Sequence, residues 1–178
     1  MINIEHLLVL QNKLFRMPKY AYVCIGGTFN HLHRGHRVII ETAFNLGDKV
    51  IIGLADEHLT KTKEHYELIE SYEERERKIR DFLSTKGWLS RAEIIPISDV
   101  YGPAVNIPDL DAIIVSEETE RRALEINEIR ERKGLKRLDI IVVKLVKAED
   151  GKPISSTRIR KGEIDAEGKV TNKERVYV

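Results

Sequence analysis

Two short stretches carry the residues whose types and spacing could do chemistry. The first runs from Gly26 to His36, Gly-Gly-Thr-Phe-Asn-His-Leu-His-Arg-Gly-His. Its glycine pair directly follows an apolar run, and the missing β-carbons let a phosphate approach the backbone closely. A helix opening near Arg34 turns its unpaired amides toward the strand end, which makes an anion site of partial positive charge. His33 and His36, three apart, fall on one side of that first turn. Two imidazoles there can donate to phosphate oxygens and stabilise charge that builds up on bridging and leaving oxygens. Thr28 adds a hydroxyl. The stretch is not a P-loop, because no Gly-Lys-Ser/Thr follows, and its glycine spacing is not a Rossmann fingerprint. A plain tight turn remains an open reading, as does a metal set of His31, His33 and His36, although no cysteine or carboxylate stands nearby in suitable spacing.

The second stretch, Pro153 to Arg160, packs three hydroxyls and two guanidiniums into eight residues after a Gly151-Lys152 turn. Ser155 can cap a helix there. The following amides and the Ser156 and Thr157 hydroxyls can meet phosphate oxygens, with Arg158 or Arg160 supplying a planar fork. A capped basic surface helix explains the same residues equally well. Both stretches follow strands and end at helix N-termini, so a parallel sheet would bring them to one triphosphate.

Other polar clusters are less specific. Lys61-Thr62-Lys63 after the second strand offers a mobile cation or an ordinary charged loop. Glu67 to Arg80, with Arg75 inside it, has the dense mixed charge of a solvated helix face. Tyr101-Gly102-Pro103-Ala104 reads as a turn that could wall a pocket. Ser116 to Thr119 ends a strand and opens a helix, where acidic residues complement the macrodipole or touch a nucleoside.

The elements that must hold these stretches follow from apolar periodicity. Strand-length runs at Tyr20 to Ile25, Val50 to Ala55, Glu93 to Ile97, Ala112 to Val115 and Leu138 to Val146 are rich in valine and isoleucine, as parallel strands covered on both faces tend to be. Helical patterns lie at His36 to Leu46, Tyr72 to Leu83 and Glu118 to Lys133, the last ending at Gly134. The order β-α-β-α-β-β-α-β-α predicts an α/β fold, a Rossmann-like doubly wound parallel sheet of about five strands, with ligands beyond the strands' carboxyl ends. The 178 residues suit a single domain, with an extension at 1–19, a core at 20–161 and a tail at 162–178. Ile4, Leu7, Leu8 and Phe15 give the extension the pattern of a short amphipathic helix.

Composition narrows the partners. A formal net charge of +1, from 30 basic and 29 acidic residues, provides no overall field to recruit nucleic acid or a membrane surface. Bound anions must therefore be held locally. The single cysteine, Cys24, lies in an apolar run, so neither an intramolecular disulfide nor a cysteine zinc site is expected. Without a long apolar run or a signal-peptide pattern at Met1 to Leu10, the chain reads as soluble and cytoplasmic. Nothing in it speaks to oligomeric state.

His33-Arg34-Gly35-His36 resembles the HxGH signature, and Ile154-Ser155-Ser156-Thr157-Arg158-Ile159-Arg160 the ISSTxxR signature, of the nucleotidyltransferase superfamily. Within it, Gly26-Gly27-Thr28-Phe29, Leu59 to Lys63, Tyr101 to Ala104, Val115 to Thr119 and Ile126-Asn127 are similar to the archaeal type of phosphopantetheine adenylyltransferase. The corresponding domain of eukaryotic bifunctional coenzyme A synthase is similar too. The resemblance covers about residues 20 to 161. It implies transfer of an adenylyl group from ATP, with Mg2+ carried on the triphosphate, to 4′-phosphopantetheine, giving dephospho-coenzyme A and pyrophosphate without a covalent enzyme intermediate.

By the same resemblance His36 stabilises the transition state and His33 supports the triphosphate. The implied ATP site adds Gly27, Thr28, Phe29, Ser116, Glu117, Asn127, Ile154, Ser155, Ser156, Thr157, Arg158 and Arg160. The implied phosphopantetheine site comprises Thr28, Lys61, Lys63, Arg75 and Tyr101, with no protein-bound metal. One position departs from the pattern: Asn30 stands where the motif usually has aspartate. A cytidylyltransferase, an FMN or nicotinamide mononucleotide adenylyltransferase, or a non-catalytic nucleotide-binding module would share much of this grip.

Overall fold

The computed structural model describes residues 18–171. The amphipathic pattern expected between Ile4 and Phe15 lies outside them. Five strands, β1 (Tyr20–Gly27), β2 (Gly47–Ala55), β3 (Ala92–Ile97), β4 (Ala112–Ser116) and β5 (Asp139–Val143), form one parallel sheet in the order β3-β2-β1-β4-β5. Helices α1 (Arg34–Leu46), α2 (Glu57–Thr60), α3 (Tyr72–Thr85), α4 (Glu120–Arg132) and α5 (Ser156–Arg160) connect or follow them. The doubly wound sheet read from the apolar runs is therefore present, with the short α2 added.

Strand periodicity explains why both faces are covered. Val23, Ile25, Val50, Ile52, Leu54 and Ile114 point to one side, where they pack with Ile40, Phe44, Ile79 and Leu83 from α1 and α3. Cys24, Ile51, Ile113 and Val115 point to the other, against Ala123 and Ile126 of α4 and the Ala104–Val105 turn. Alternate residues of one strand thus enter different cores. Each fully buried isoleucine or leucine contributes about 2 kcal/mol, which makes the sheet centre the stable part of the molecule.

The sheet opens where the chemistry needs space. β1 keeps β2 as a partner as far as Gly27↔Leu54, but pairs with β4 only at Val23↔Ala112 and Cys24↔Ile113. Beyond Cys24 the two strands part. Strand order also reverses here, since the chain steps outward from β1 through β2 to β3 and then crosses to β4 on the other side of β1, so the crevice is a topological switch point.

Two expectations are corrected. The last strand ends at Val143 rather than Val146, because the Leu145 amide donates to Glu117 and Lys147 bridges to Pro153 in a separate antiparallel turn. Residues 162–171 are more than a tail. Ile164 is buried with Ala148 and Ile154, Arg37 pairs with Glu167, and the Arg34 amide donates to the Ala166 carbonyl. Gly134 ends α4 at φ 71, with the Leu135 amide returning to the Arg130 carbonyl, a Schellman closure. No helix among the described residues is long and apolar enough to cross a membrane.

Two buried arginines hold the loops around the crevice, and each uses main-chain carbonyls as its hydrogen-bond acceptors. Arg130, fully buried, donates to the carbonyls of Ala104, Ile107 and Lys136 at 2.6–2.8 Å. Arg75, 1% exposed, donates to those of Thr28, Ala55 and Glu70 at 2.8–2.9 Å. Replacing Arg130 by Met strands three acceptors, so Arg130→Met should lower unfolding free energy by about 3 kcal/mol or more, read from urea denaturation. Arg130→Lys should recover less than half of that, because an ammonium cannot span the same carbonyls.

Candidate active site

The turn that leads into α1 is strained. Phe29, His31 and Leu32 have φ of 51°, 60° and 35°, the left-handed region that non-glycine residues avoid at a cost of about 1 kcal/mol each. The strain places Phe29, 1% exposed, beneath the helix start, 5.2 Å from the His36 ring. His33 then caps α1, its Nδ1 accepting from the His36 amide at 3.4 Å, and its ring stacks on that of His36 at 3.6 Å. Gly35 leaves room for this stack: a β-carbon there would sit 3.1 Å from Cε1 of His33, so the ring would have to give by a few tenths of an ångström. The spacing His-x-Gly-His is therefore one object, a capping imidazole lying on a second, buried imidazole.

Both rings are poor proton acceptors in this environment. Burial, with the Arg37 charge second, brings His33 down to about 4. His36 is also held well below the ordinary histidine range, by burial first and then by His33 and Lys63. Each imidazole is neutral near pH 7 and carries one N–H, and His33 must carry its proton on Nε2 because Nδ1 accepts. Nδ1 of His36 is buried without a hydrogen-bond partner. The three histidines do not converge as metal ligands, since Nδ1 of His31 faces Glu70 at 3.2 Å while Nδ1 of His33 faces the His36 amide.

Two adjoining cavities lie beyond the strand ends. The larger, about 430 Å³, runs between β1, β3 and β4 and is walled by Gly26, Gly27, His36, Ile97, Tyr101 and Ser116 among others. Its size is that of a small-molecule site. The smaller, about 240 Å³, is lined by Thr28, Lys63, Glu64, Ser156, Thr157 and Arg160. Thr28 and Lys63 border both cavities. The first and second stretches therefore meet, tied directly by the Ser156 hydroxyl donating to the Asn30 carbonyl at 3.0 Å.

Asn30 now has a structural account. It is fully buried, and its Oδ1 accepts from the Glu70 amide at 3.0 Å, a bond that aspartate would also make. The amide keeps this acceptor, while its Nδ2 is buried without a hydrogen-bond partner.

Several residues implied by resemblance stand elsewhere. Arg158 is bound to Asp150 and Glu163, so its fork faces away from the cavities and braces α5. Ser155 caps α5 through the Arg158 amide, and Ile154 is buried in the small apolar cluster beneath it. Asn127 uses both ends of its amide on Leu138, at 2.7 and 2.9 Å, and is a clamp between α4 and the start of β5. Glu117 accepts from Leu145 at the rim. Arg75 is buried among carbonyls as described, and Lys61 is exposed beside Glu57, so neither lines a cavity.

Sequence reading missed Arg122, which lines the larger cavity together with Glu118 of the Ser116 to Thr119 segment. The signal was that a helix opening at the end of β4 must turn its first residues toward the crevice. Lys63, Arg122 and Arg160 have no ion pair with a carboxylate among the described residues, and Arg160 Nε is buried without a partner. The Lys63 ammonium is pushed below its ordinary range by burial, Arg122 and Arg160. A cluster of cations that repel one another is a site prepared for a polyanion.

A stability effect follows from His33. Its folded value lies below the ordinary 6.5, so the unfolded chain takes up a proton first as pH falls, and stability is lost between about pH 6.5 and 4. The loss attributable to this group reaches about 3 kcal/mol. His33→Asn, which keeps a helix-capping acceptor, should flatten that part of the pH profile of the urea midpoint relative to wild type. An unchanged profile would remove His33 as its cause.

The cytidylyltransferase-like family model matches residues 24–162. The chain is 42% identical over 149 residues to the phosphopantetheine adenylyltransferase of Methanopyrus kandleri, covering 84% of this chain and 94% of that one. It is 47% identical over 158 residues to the phosphopantetheine adenylyltransferase of Methanosarcina barkeri, covering 86% and 93%. A solved structure of a putative nicotinate-nucleotide adenylyltransferase from Vibrio parahaemolyticus superposes with a TM-score of 0.52 at 16% identity, covering 83% of each chain, a likeness of fold alone. With its stacked histidines and joined cavities, the chain belongs to the cytidylyltransferase-like nucleotidyltransferases and, within them, to the phosphopantetheine adenylyltransferase family.

Proposed function

We propose that this protein transfers the adenylyl group of ATP to 4′-phosphopantetheine, releasing pyrophosphate and dephospho-coenzyme A. The observation that carries the reading is the pair of cavities bordered in common by Thr28 and Lys63, with His36 facing the larger one. The smaller has the hydroxyls and guanidinium that suit β- and γ-phosphates, from Ser156, Thr157 and Arg160. The larger has apolar walls for the organic arms. On its β4 side Ser116 meets the nucleoside, and the Tyr101 turn lines the acceptor side. The two reacting phosphates then meet near Thr28.

An oxygen of the acceptor phosphate attacks the α-phosphorus in line. The bond from that phosphorus to the α,β-bridging oxygen breaks, and pyrophosphate leaves with the electron pair. The protein positions two polyanions and neutralises charge. His36 donates its N–H where charge grows in the transition state, and the His33 stack fixes its direction. Lys63 takes the acceptor phosphate, while Ser156, Thr157 and Arg160 hold the leaving end; the Arg34 and His36 amides at the start of α1 are already taken by Ala166 and His33. Magnesium arrives on the triphosphate as part of the substrate and adds charge neutralisation there. The same reading places the protein in the cytoplasm, where a lone buried thiol such as Cys24 stays reduced.

Purified protein offered ATP or CTP with phosphopantetheine, FMN or nicotinamide mononucleotide should release pyrophosphate only with ATP and phosphopantetheine. Release with another pair instead would replace this assignment of substrates. His36→Ala should lower kcat by roughly a hundredfold or more while the Kd for ATP stays within about threefold, the pattern of a lost transition-state donor. Lys63→Ala should raise KM for phosphopantetheine at least about tenfold, whereas Lys61→Ala should change it by less than about twofold. Equal effects at the two lysines would remove Lys63 as the acceptor grip.

A further inference from the structure

Glu70 lines neither cavity, yet its polar groups converge on the turn between the two phosphate grips. Its carboxylate accepts from the His31 amide at 2.9 Å through Oε2, while Oε1 faces Nδ1 of His31 at 3.2 Å and Lys78 Nζ at 2.5 Å. Its own amide donates to Asn30 Oδ1, and its carbonyl accepts from Arg75 Nε, the same guanidinium that holds the Thr28 carbonyl. The side chain is 16% exposed. One residue thus contacts both sides of a left-handed turn that neither the His33 cap nor the sheet supports directly.

We propose that Glu70 is a positioning residue for the transfer reaction, fixing the Thr28 to His31 turn so that His36 and Ser156 point at one triphosphate. Three steps support it. The φ values at 29, 31 and 32 are unfavourable, so the turn persists only if something outside it holds it. The Asn30 carbonyl that receives the Ser156 hydroxyl belongs to the same peptide unit as the His31 amide that Glu70 binds, so the tie to the second stretch and the tie to Glu70 share one rigid plane. Both carboxylate oxygens are used as acceptors, which an amide cannot do. A turn displaced by about 1 Å would leave ATP bound and cost turnover.

The inference rests on His36 acting in the transition state, and the test keeps the two apart. Glu70→Gln keeps the backbone bonds and the size of the side chain, but sets an NH2 group against one of the donors. It should lower kcat roughly tenfold with KM for both substrates within about twofold. Because the loss acts through His36, the double variant Glu70→Gln/His36→Ala should be no slower than His36→Ala within about threefold, a non-additivity that a merely structural role would not produce. A kcat for Glu70→Gln within twofold of wild type, or losses that multiply in full, overturns the proposal while an impaired His36→Ala keeps the reading of His36. An unimpaired His36→Ala overturns both. Should Glu70→Gln not fold, Glu70→Asp, which keeps the charge but cannot reach His31 and Lys78 together, must show the same kcat loss at constant KM, and an unchanged kcat there overturns the proposal.

Discussion

The parting of β1 and β4 after two register pairs is the constraint on which the rest of the molecule depends. A parallel sheet normally closes its ladder along the whole strand, and here the ladder stops at Cys24 while β1 continues to Gly27 on β2 alone. The separation exposes two strand ends and the helix start after one of them in a single crevice. Every group with a place in the chemistry enters from an element that begins or ends at this opening. α5, which follows none of the five strands directly, reaches it because the Ser156 hydroxyl and the Arg160 fork are tied back to the first turn and to the Glu64 carbonyl.

Charge in the crevice is arranged as much by what is neutral as by what is charged. The two stacked imidazoles are kept uncharged by burial, and so can lie 3.6 Å apart without repulsion. The permanent cations stand further out, at Lys63, Arg122 and Arg160. In the proposed reaction this division gives binding to the charged groups and directional donation to the neutral ones. It also explains why the His33 ring belongs to the site without lining a cavity: it caps the helix and supports the face of His36.

Much of this was legible in the sequence because its signals were local. Strand runs of valine and isoleucine, a helix opening at Arg34 and the Pro153 to Arg160 hydroxyls each depend on a few neighbouring residues, and each formed where the pattern put it except for the early end of the last strand at Val143. What failed was side-chain direction. Arg158 and Arg160 are two apart on a helix, so one faces the cavity and the other Asp150 and Glu163, and composition could not say which. Asn127 and Arg75 lie in helices whose polar periodicity suggests solvent, yet both point inward to main-chain groups far away in sequence. Arg122 was hidden in a run of seven charged or hydroxyl side chains, Ser116 to Arg122. For Arg75 the deciding carbonyls, those of Thr28 and Ala55, lie 47 and 20 residues away, outside any local window.

The two buried arginines have a wider consequence. Arg130 and Arg75 hold their loops by carbonyl oxygens, which every amino acid provides. The Ala104 to Pro108 segment beside the larger cavity is thus anchored through its main chain as well as through the buried side chains of Ala104 and Val105. Its exposed residues are free to drift while its position is not. A scaffold of this kind can acquire a new acceptor by exchanging wall residues one at a time, with each intermediate still folded and still able to grip a triphosphate.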